Sequence, residues 1–288
     1  MIILVLGVYF PFRSCTSMKR QITLKSDPIT KIPLPFTVVP GNAQHIGSRT
    51  EQQDAFAFSD IHDHPFINKF GVLAVLADGM GGLIGGKEAS NLAVQTFTNH
   101  YITSFEMDSI PEKLIFAVKE ANEAVKAFAV ENGVEGGMGT TLIATVIFKD
   151  QLYWLSVGDS RIYLHRNDTV KQLTTDHIYA KELDEKVAAG LISREEAKYD
   201  PQRESLTSFL GLDVIEELDV SVDPIPLEKG DSVILCSDGL YGSVSNEEMI
   251  DICRSFSTQE AAENFIEYVL KKQKPHQDNA TVAILNLR

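Results

Sequence analysis

The sequence predicts an α+β fold of layered sheets and helices, and three observations carry that prediction. Apolar, β-branched runs of strand length come in clusters, amphipathic helical stretches lie between the clusters, and 44% of the 288 residues are hydrophobic, enough for one large core. Strands are expected near 36–48, 53–60 and 70–77, the last containing Val72-Leu73-Ala74-Val75-Leu76-Ala77. Helical patterns follow at about 85–105 and 111–131, where Ala, Val and Phe recur at helix spacing. Four strand runs come next, at about 141–149, 151–158, 160–166 and 169–173. Helices are then expected at about 178–189 and 193–198, the second opened by Ser193-x-x-Glu196, in which each side chain satisfies the other residue's free amide. Strands at about 216–222 and 231–237 precede two more helices with the same box, Ser245-x-x-Glu248 and Ser257-x-x-Glu260, and a strand at 280–287 closes the chain. No internal repeat is present.

Charge and cysteine content exclude several functions. Lys plus Arg total 26 against 40 Asp plus Glu, a net charge of −14, which argues against a nucleic-acid partner. The three cysteines, Cys15, Cys236 and Cys253, have neither zinc-ligand spacing nor a disulfide framework, so a reducing, cytoplasmic setting is expected. Residues 1–40 carry a net +4, leaving −18 on the rest. Met1 to Phe12 is apolar but lacks a basic leader and is too short to span a bilayer. Residues 1–35 are therefore expected as a flexible N-terminal tail without stable membrane insertion.

Three carboxylates sit at the ends of apolar strand runs: Asp78 before Gly79, Asp238 before Gly239, and Asp278 before the run at 280–285. An Asp just past a strand is held by a rigid element, and a following Gly lets the backbone turn and bring its carbonyl oxygen near an ion. Oxygen ligands select hard cations, Mg²⁺ or Mn²⁺. Two ionised carboxylates about 4 Å apart repel by on the order of 4 kcal/mol at an effective dielectric of about 20, so a cluster of them calls for divalent cations. No cationic side chain is built into the motifs of Asp78, Asp238 and Asp278.

Along the chain the motifs read Gly47-Ser48-Arg49-Thr50-Glu51-Gln52-Gln53-Asp54, Ala77-Asp78-Gly79-Met80-Gly81-Gly82, Gly137-Met138-Gly139-Thr140-Thr141, Val157-Gly158-Asp159-Ser160-Arg161, Leu173-Thr174-Thr175-Asp176-His177, Leu206-Thr207-Ser208-Phe209-Leu210-Gly211, Cys236-Ser237-Asp238-Gly239 and Asp278-Asn279-Ala280-Thr281. Taken alone an Asp-Gly pair marks only a turn, but eight motifs in one order over about 250 residues are specific. The chain closely resembles the metal-dependent Ser/Thr phosphoprotein phosphatases of the phosphatase 2C type, bacterial members above all. The resemblance implies a four-layer α-β-β-α sandwich over residues 36–288, with two central, mostly antiparallel sheets. It implies two Mn²⁺ or Mg²⁺ ions per site, with Asp78 shared between them, the Gly79 carbonyl completing one, Asp238 and Asp278 completing the other, and Asp54 close by. Two such ions lower the pKa of a shared water and hold a phosphoryl group in line, so that water attacks directly without a phosphoenzyme.

Arg49 is the candidate for the substrate phosphate. Its guanidinium engages two phosphoryl oxygens at once, and it stands five residues before Asp54, as the family's arginine does. Met80 stands where some eukaryotic members place a proton-donating histidine, and Gln53 where several relatives have glutamate. No carboxylate is expected for a third metal, because Gly136 occupies that position and only its neighbour Glu135 is acidic. Asp159-Ser160-Arg161 reads as a hairpin, Thr140-Thr141 as simple strand propensity, His177 as a structural histidine and Cys236 as core. The segment from about 177 to 207 corresponds to the family's variable flap, here more acidic through Asp200 and Glu204. The expected partners are phosphoprotein substrates and an opposing Ser/Thr kinase, with the chain itself a monomer. A non-enzymatic alternative, a phosphoprotein-binding module, is disfavoured because Asp54, Asp78, Asp238 and Asp278 are all retained; a phosphatase restricted to anti-sigma antagonists is the same-fold alternative.

Overall fold

The computed structural model describes residues 36–81, 85–104 and 107–288. The tail expected over 1–35, together with Cys15 and Gly82, lies outside the described residues. Two antiparallel sheets stack face to face. The first carries, in spatial order, β1 (Val38–His45), β12 (Ala280–Leu287), β11 (Ser232–Cys236), β7 (Arg161–Arg166) and β8 (Thr169–Gln172). The second carries β10 (Ile225–Pro226), β6 (Gln151–Val157), β5 (Leu142–Phe148), β3 (Val72–Gly81) and β2 (Asp54–Phe58), with β4 (Met138–Thr140) on β3 and β9 (Asp219–Val220) on β6. Helices α2 (Gly86–Thr103) and α3 (Ile110–Asn132) cover the second sheet, and α7 (Asn246–Ser255) and α8 (Thr258–Lys271) cover the first.

The two-residue period of a strand explains the layers. On β3, Val72, Ala74 and Leu76 point into the space between the sheets, where they meet Ile143, Ile162, Leu235 and Leu285. Leu73, Val75 and Ala77 point the other way, onto Phe97, Leu114 and Val118 of α2 and α3. On the far side Ile234 and Ile284 pack on Met249, Phe265 and Ile266 of α7 and α8. Both faces of each central strand are thus buried, which is why these strands read as continuous apolar runs instead of alternating ones.

The helix ends follow from their caps. Ser193, Ser245 and Ser257 form the expected boxes with Glu196, Glu248 and Glu260, and a fourth box joins Ser109 to Glu112 at the start of α3. Helix α3 stops at Gly133, which adopts the left-handed conformation (φ 66°) that favours glycine.

Several elements depart from expectation. A helix α1 (His64–Phe70) fills the β2–β3 connection, capped by Asp63, whose carboxylate accepts from the Phe66 amide. The strand expected over 216–222 shrinks to β9, and β4, β10 and a one-turn helix α6 (Asp238–Tyr241) were not foreseen. Strand β3 does not end at Asp78 but runs on to Gly81, leaving β5 after Leu76 to pair with β4. Asp78-Gly79 therefore lies inside a strand and Asp238-Gly239 opens a helix; neither is a turn.

The segment 177–207 is closed at its neck by an Ile178–Leu206 bridge, with the His177 amide donating to the Gly158 carbonyl and the Thr207 amide to the His177 carbonyl. It contains α4 (Ala180–Ala188) and α5 (Arg194–Tyr199), which pack together and bury Leu183 and Ala197.

Candidate metal centre

The carboxylates come from both sheets and meet at one end of the sandwich. Asp54 opens β2 directly opposite Asp78 on β3, a register that places two like charges face to face. From the other sheet, Asp238 follows β11 as the first residue of α6, and Asp278 precedes the neighbouring strand β12. Asp159 lies in the connection from β6 to β7, where the chain crosses between the sheets.

Burial and mutual repulsion raise Asp54, Asp78, Asp159 and Asp238. Asp54 is buried and pushed up to about 7, chiefly by desolvation, with Asp238 and Asp278 adding to the shift. Hydroxyls of Thr281 (2.6 Å) and Ser237 (2.9 Å) donate to its Oδ2 and oppose that shift, while Oδ1 is buried without a partner. Asp78 is raised well above the ordinary range, first by burial and then by Asp54, Asp238, Asp159 and Asp278. Asp238 is raised by burial and by Asp278, with the Gly239 backbone, Arg49 and the Asp78 side chain pulling the other way, and its Oδ1 also lacks a partner. Asp159 rises to about 7 through burial, then Asp238 and Asp176.

A buried carboxylate oxygen without a donor is costly unless a cation satisfies it. The donor set is oxygen throughout, so the residues present suit hard divalent cations. Among the described residues no group of three or more His, Cys, Asp or Glu side chains is arranged closely enough to hold a metal ion by itself.

The motifs of Asp78, Asp238 and Asp278 contain no cationic side chain, but Asp278 finds one far away in sequence. The Arg49 guanidinium sits 2.6 Å from Asp278 Oδ2, both side chains being more than a third exposed. Arg49 is thus at the rim of the cluster, as a phosphate ligand requires, but tied to a carboxylate from the far end of the sequence.

Neighbouring residues hold the backbone of the site. The Asp78 amide donates to Thr141 Oγ1, and its carbonyl accepts from the Thr141 amide and the Thr140 hydroxyl, each at 2.9 Å. Thr140-Thr141 therefore has a defined task beyond strand propensity. Asn279 accepts from the Gln53 amide and donates to the Ile46 and Glu51 carbonyls, binding the loop that carries Arg49 to the strand end that carries Asp278. Gly79 is required for closeness, because a Cβ there would strike the Gly86 carbonyl at the start of α2. The Gln53 side-chain amide lies against Gly86.

Asp159 is the functional candidate that sequence reasoning placed elsewhere. It faces the cluster, whereas Glu135 and Gly136 are exposed on a turn. The backbone around Asp159 is fixed: His177 Nδ1 accepts from the Gly158 amide (3.0 Å), Ser160 and Thr141 share a hydroxyl hydrogen bond (2.8 Å), and Arg161 forms a bidentate pair with Asp176. His177 is buried and structural, and Cys236 lies fully buried with its thiol pushed up by desolvation, so it packs and does not react. Arg203, in the segment 177–207, is occupied by Asp184 and the Ala197 carbonyl.

Known proteins resemble this chain in sequence and in fold. The sequence profile described as Protein phosphatase 2C matches residues 42–283. A serine/threonine phosphatase stp of Listeria welshimeri is 35% identical over 220 residues, 74% of this chain and 83% of that protein. The structure of the S. agalactiae serine/threonine phosphatase superposes with a TM-score of 0.74 at 28% identity, over 87% of this chain and 100% of that one. A catalytic domain of the serine threonine protein phosphatase PstP, crystallised in complex with 2 manganese ions, gives a TM-score of 0.67 at 29% identity, over 88% of this chain and 99% of that one.

Proposed function

The chain belongs to the protein phosphatase 2C family, and from that membership and the site geometry we propose that it hydrolyses phosphoserine and phosphothreonine monoesters in proteins, using two divalent cations, Mn²⁺ or Mg²⁺. The observation that carries this reading is the meeting of Asp54 and Asp78 from one sheet with Asp238 and Asp278 from the other, with buried carboxylate oxygens left unpartnered. Asp78, on which all the other acidic groups press, would be the carboxylate that serves both ions. The Gly79 carbonyl, Asp238 and Asp278 would complete the set, with Asp54, held by its two hydroxyl donors, close by and Asp159 available as a further ligand. When bound, the cations lower the pKa of water and neutralise charge on the transferring phosphoryl group.

The rest of the work falls to the chain itself. Arg49, exposed at the rim, exchanges Asp278 for two phosphoryl oxygens and fixes the ester in line. Met80 cannot protonate the leaving alkoxide and His177 is buried in structural bonds, so that proton comes from solvent. The segment 177–207, pinned beside Asp159 at its neck, acts as the flap that meets the substrate. Residues 36–288 form the catalytic unit, working as a monomer against an opposing Ser/Thr kinase. Cys236 and Cys253 are free thiols, in keeping with the cytoplasm, and among the described residues no helix is long and apolar enough to cross a membrane.

Two measurements test this. In excess EDTA, turnover of a phosphothreonine peptide falls to about 1% or less and returns when Mn²⁺ is restored; undiminished turnover in the chelator would overturn the reading. Arg49→Ala raises KM for the peptide about tenfold while Mn²⁺ binding, followed by calorimetry, is not weakened, since the substitution removes a competitor for Asp278. Loss of Mn²⁺ affinity in that variant would show that Arg49 serves the metal site and not the phosphate.

A further inference from the structure

We infer that Tyr241 is a positioning residue for Asp159, directing that carboxylate into the cluster, and that Arg161 fixes the phenol in turn; the inference rests on the two-cation reading above. Tyr241 closes the one-turn helix that Asp238 opens, so the two residues share a face of that turn at three-residue spacing. Its hydroxyl lies 3.4 Å from Asp159 Oδ2, a long contact, yet among the described residues it is the one side-chain hydrogen bond Asp159 receives. The phenol is not free to wander. The Arg161 guanidinium stacks 3.6 Å from the centre of its ring. That guanidinium is itself immobilised by both Asp176 oxygens (2.6–3.2 Å) and by the Tyr163 hydroxyl (3.1 Å).

The backbone of Asp159 is equally constrained, because the consecutive neck residues Asp176 and His177 grip Arg161 and Gly158 on either side of it. Rotation of the Asp159 carboxylate is the freedom that remains, and the Tyr241 hydroxyl is placed to limit it. Groups that orient a metal ligand from outside contribute about 10- to 100-fold to metal affinity, and the length of this contact puts Tyr241 at or below the lower end of that range.

The test is Mn²⁺ calorimetry on the full chain and on Tyr241→Phe, which keeps the ring on Arg161 and removes only the hydroxyl. One Mn²⁺ step weakens about three- to tenfold, while the thermal midpoint of the EDTA-treated protein moves by no more than about 2 °C. Asp159→Asn and the double variant separate positioning from general support: with Asp159 already neutral, Tyr241→Phe changes Mn²⁺ affinity less than about twofold. Unchanged Mn²⁺ binding in Tyr241→Phe, or the same weakening in the Asp159→Asn background, overturns the inference and leaves the two-cation reading standing. Wild-type protein that takes up no Mn²⁺ overturns both.

Discussion

Asp78→Asn is expected to reduce phosphopeptide turnover to about a thousandth of the wild-type rate or less, equivalent to about 4 kcal/mol of lost transition-state stabilisation. Asp54, Asp238, Asp159 and Asp278 all press on its charge, so Asp78 is the point through which the cluster is connected. Asparagine keeps the shape and the three backbone hydrogen bonds to Thr140 and Thr141, and removes the negative charge that two cations would share. Because that charge is repelled by its neighbours, the EDTA-treated variant should melt no lower than wild type, whereas its Mn²⁺ isotherm should flatten. The combination separates a ligand from a scaffold residue. A variant that retained more than a tenth of the rate would end the assignment of Asp78 as the shared ligand.

Gly239→Ala should be a strongly damaging single-methyl addition near the site. A Cβ at Gly239 would collide with the Asn279 carbonyl, while the Gly239 carbonyl already accepts from Gln277 Nε2 at 2.9 Å, so neither strand end can retreat freely. Displacing Asn279 moves Asp278 beside it and releases the Ile46 and Glu51 carbonyls and the Gln53 amide that Asn279 secures. Overpacking against backbone costs about 3 kcal/mol, a fall of roughly 6–10 °C in thermal midpoint for a chain of this size. Mn²⁺ affinity should drop more than about tenfold in the same variant. A midpoint within about 2 °C of wild type would mean that the loop before β12 yields more easily than its hydrogen bonds indicate.

Much of the fold was legible because its signals are local. Strands β3, β5, β11 and β12 announce themselves as apolar runs since both of their faces are covered, and three of the helix starts follow from a serine and a glutamate three residues apart. What escaped depends on partners distant in sequence. Asp159-Ser160-Arg161 has the composition of a hairpin turn, and nothing nearby reveals that Tyr241, 82 residues on, reaches Asp159. The Arg49–Asp278 pair joins residues 229 apart, so no motif contains it. Gly79 reads as a turn former, yet its use is to let β3 pass close to Gly86. The strand expected over 216–222 carries the right residue types, but only Asp219 and Val220 find ladder partners on β6.

That the acidic groups are divided between the two sheets gives the site a second meaning. The side-chain direction of a strand reverses with each residue, so a slip of one position on β3 relative to β2 would turn either Asp78 or Asp54 away from the other. A sideways drift of one whole sheet over its partner would likewise part Asp238 and Asp278 from Asp54 and Asp78. A chain folded out of register would thus fail to bring the four carboxylates together, so occupancy of the site by its ions would report that the sandwich is complete.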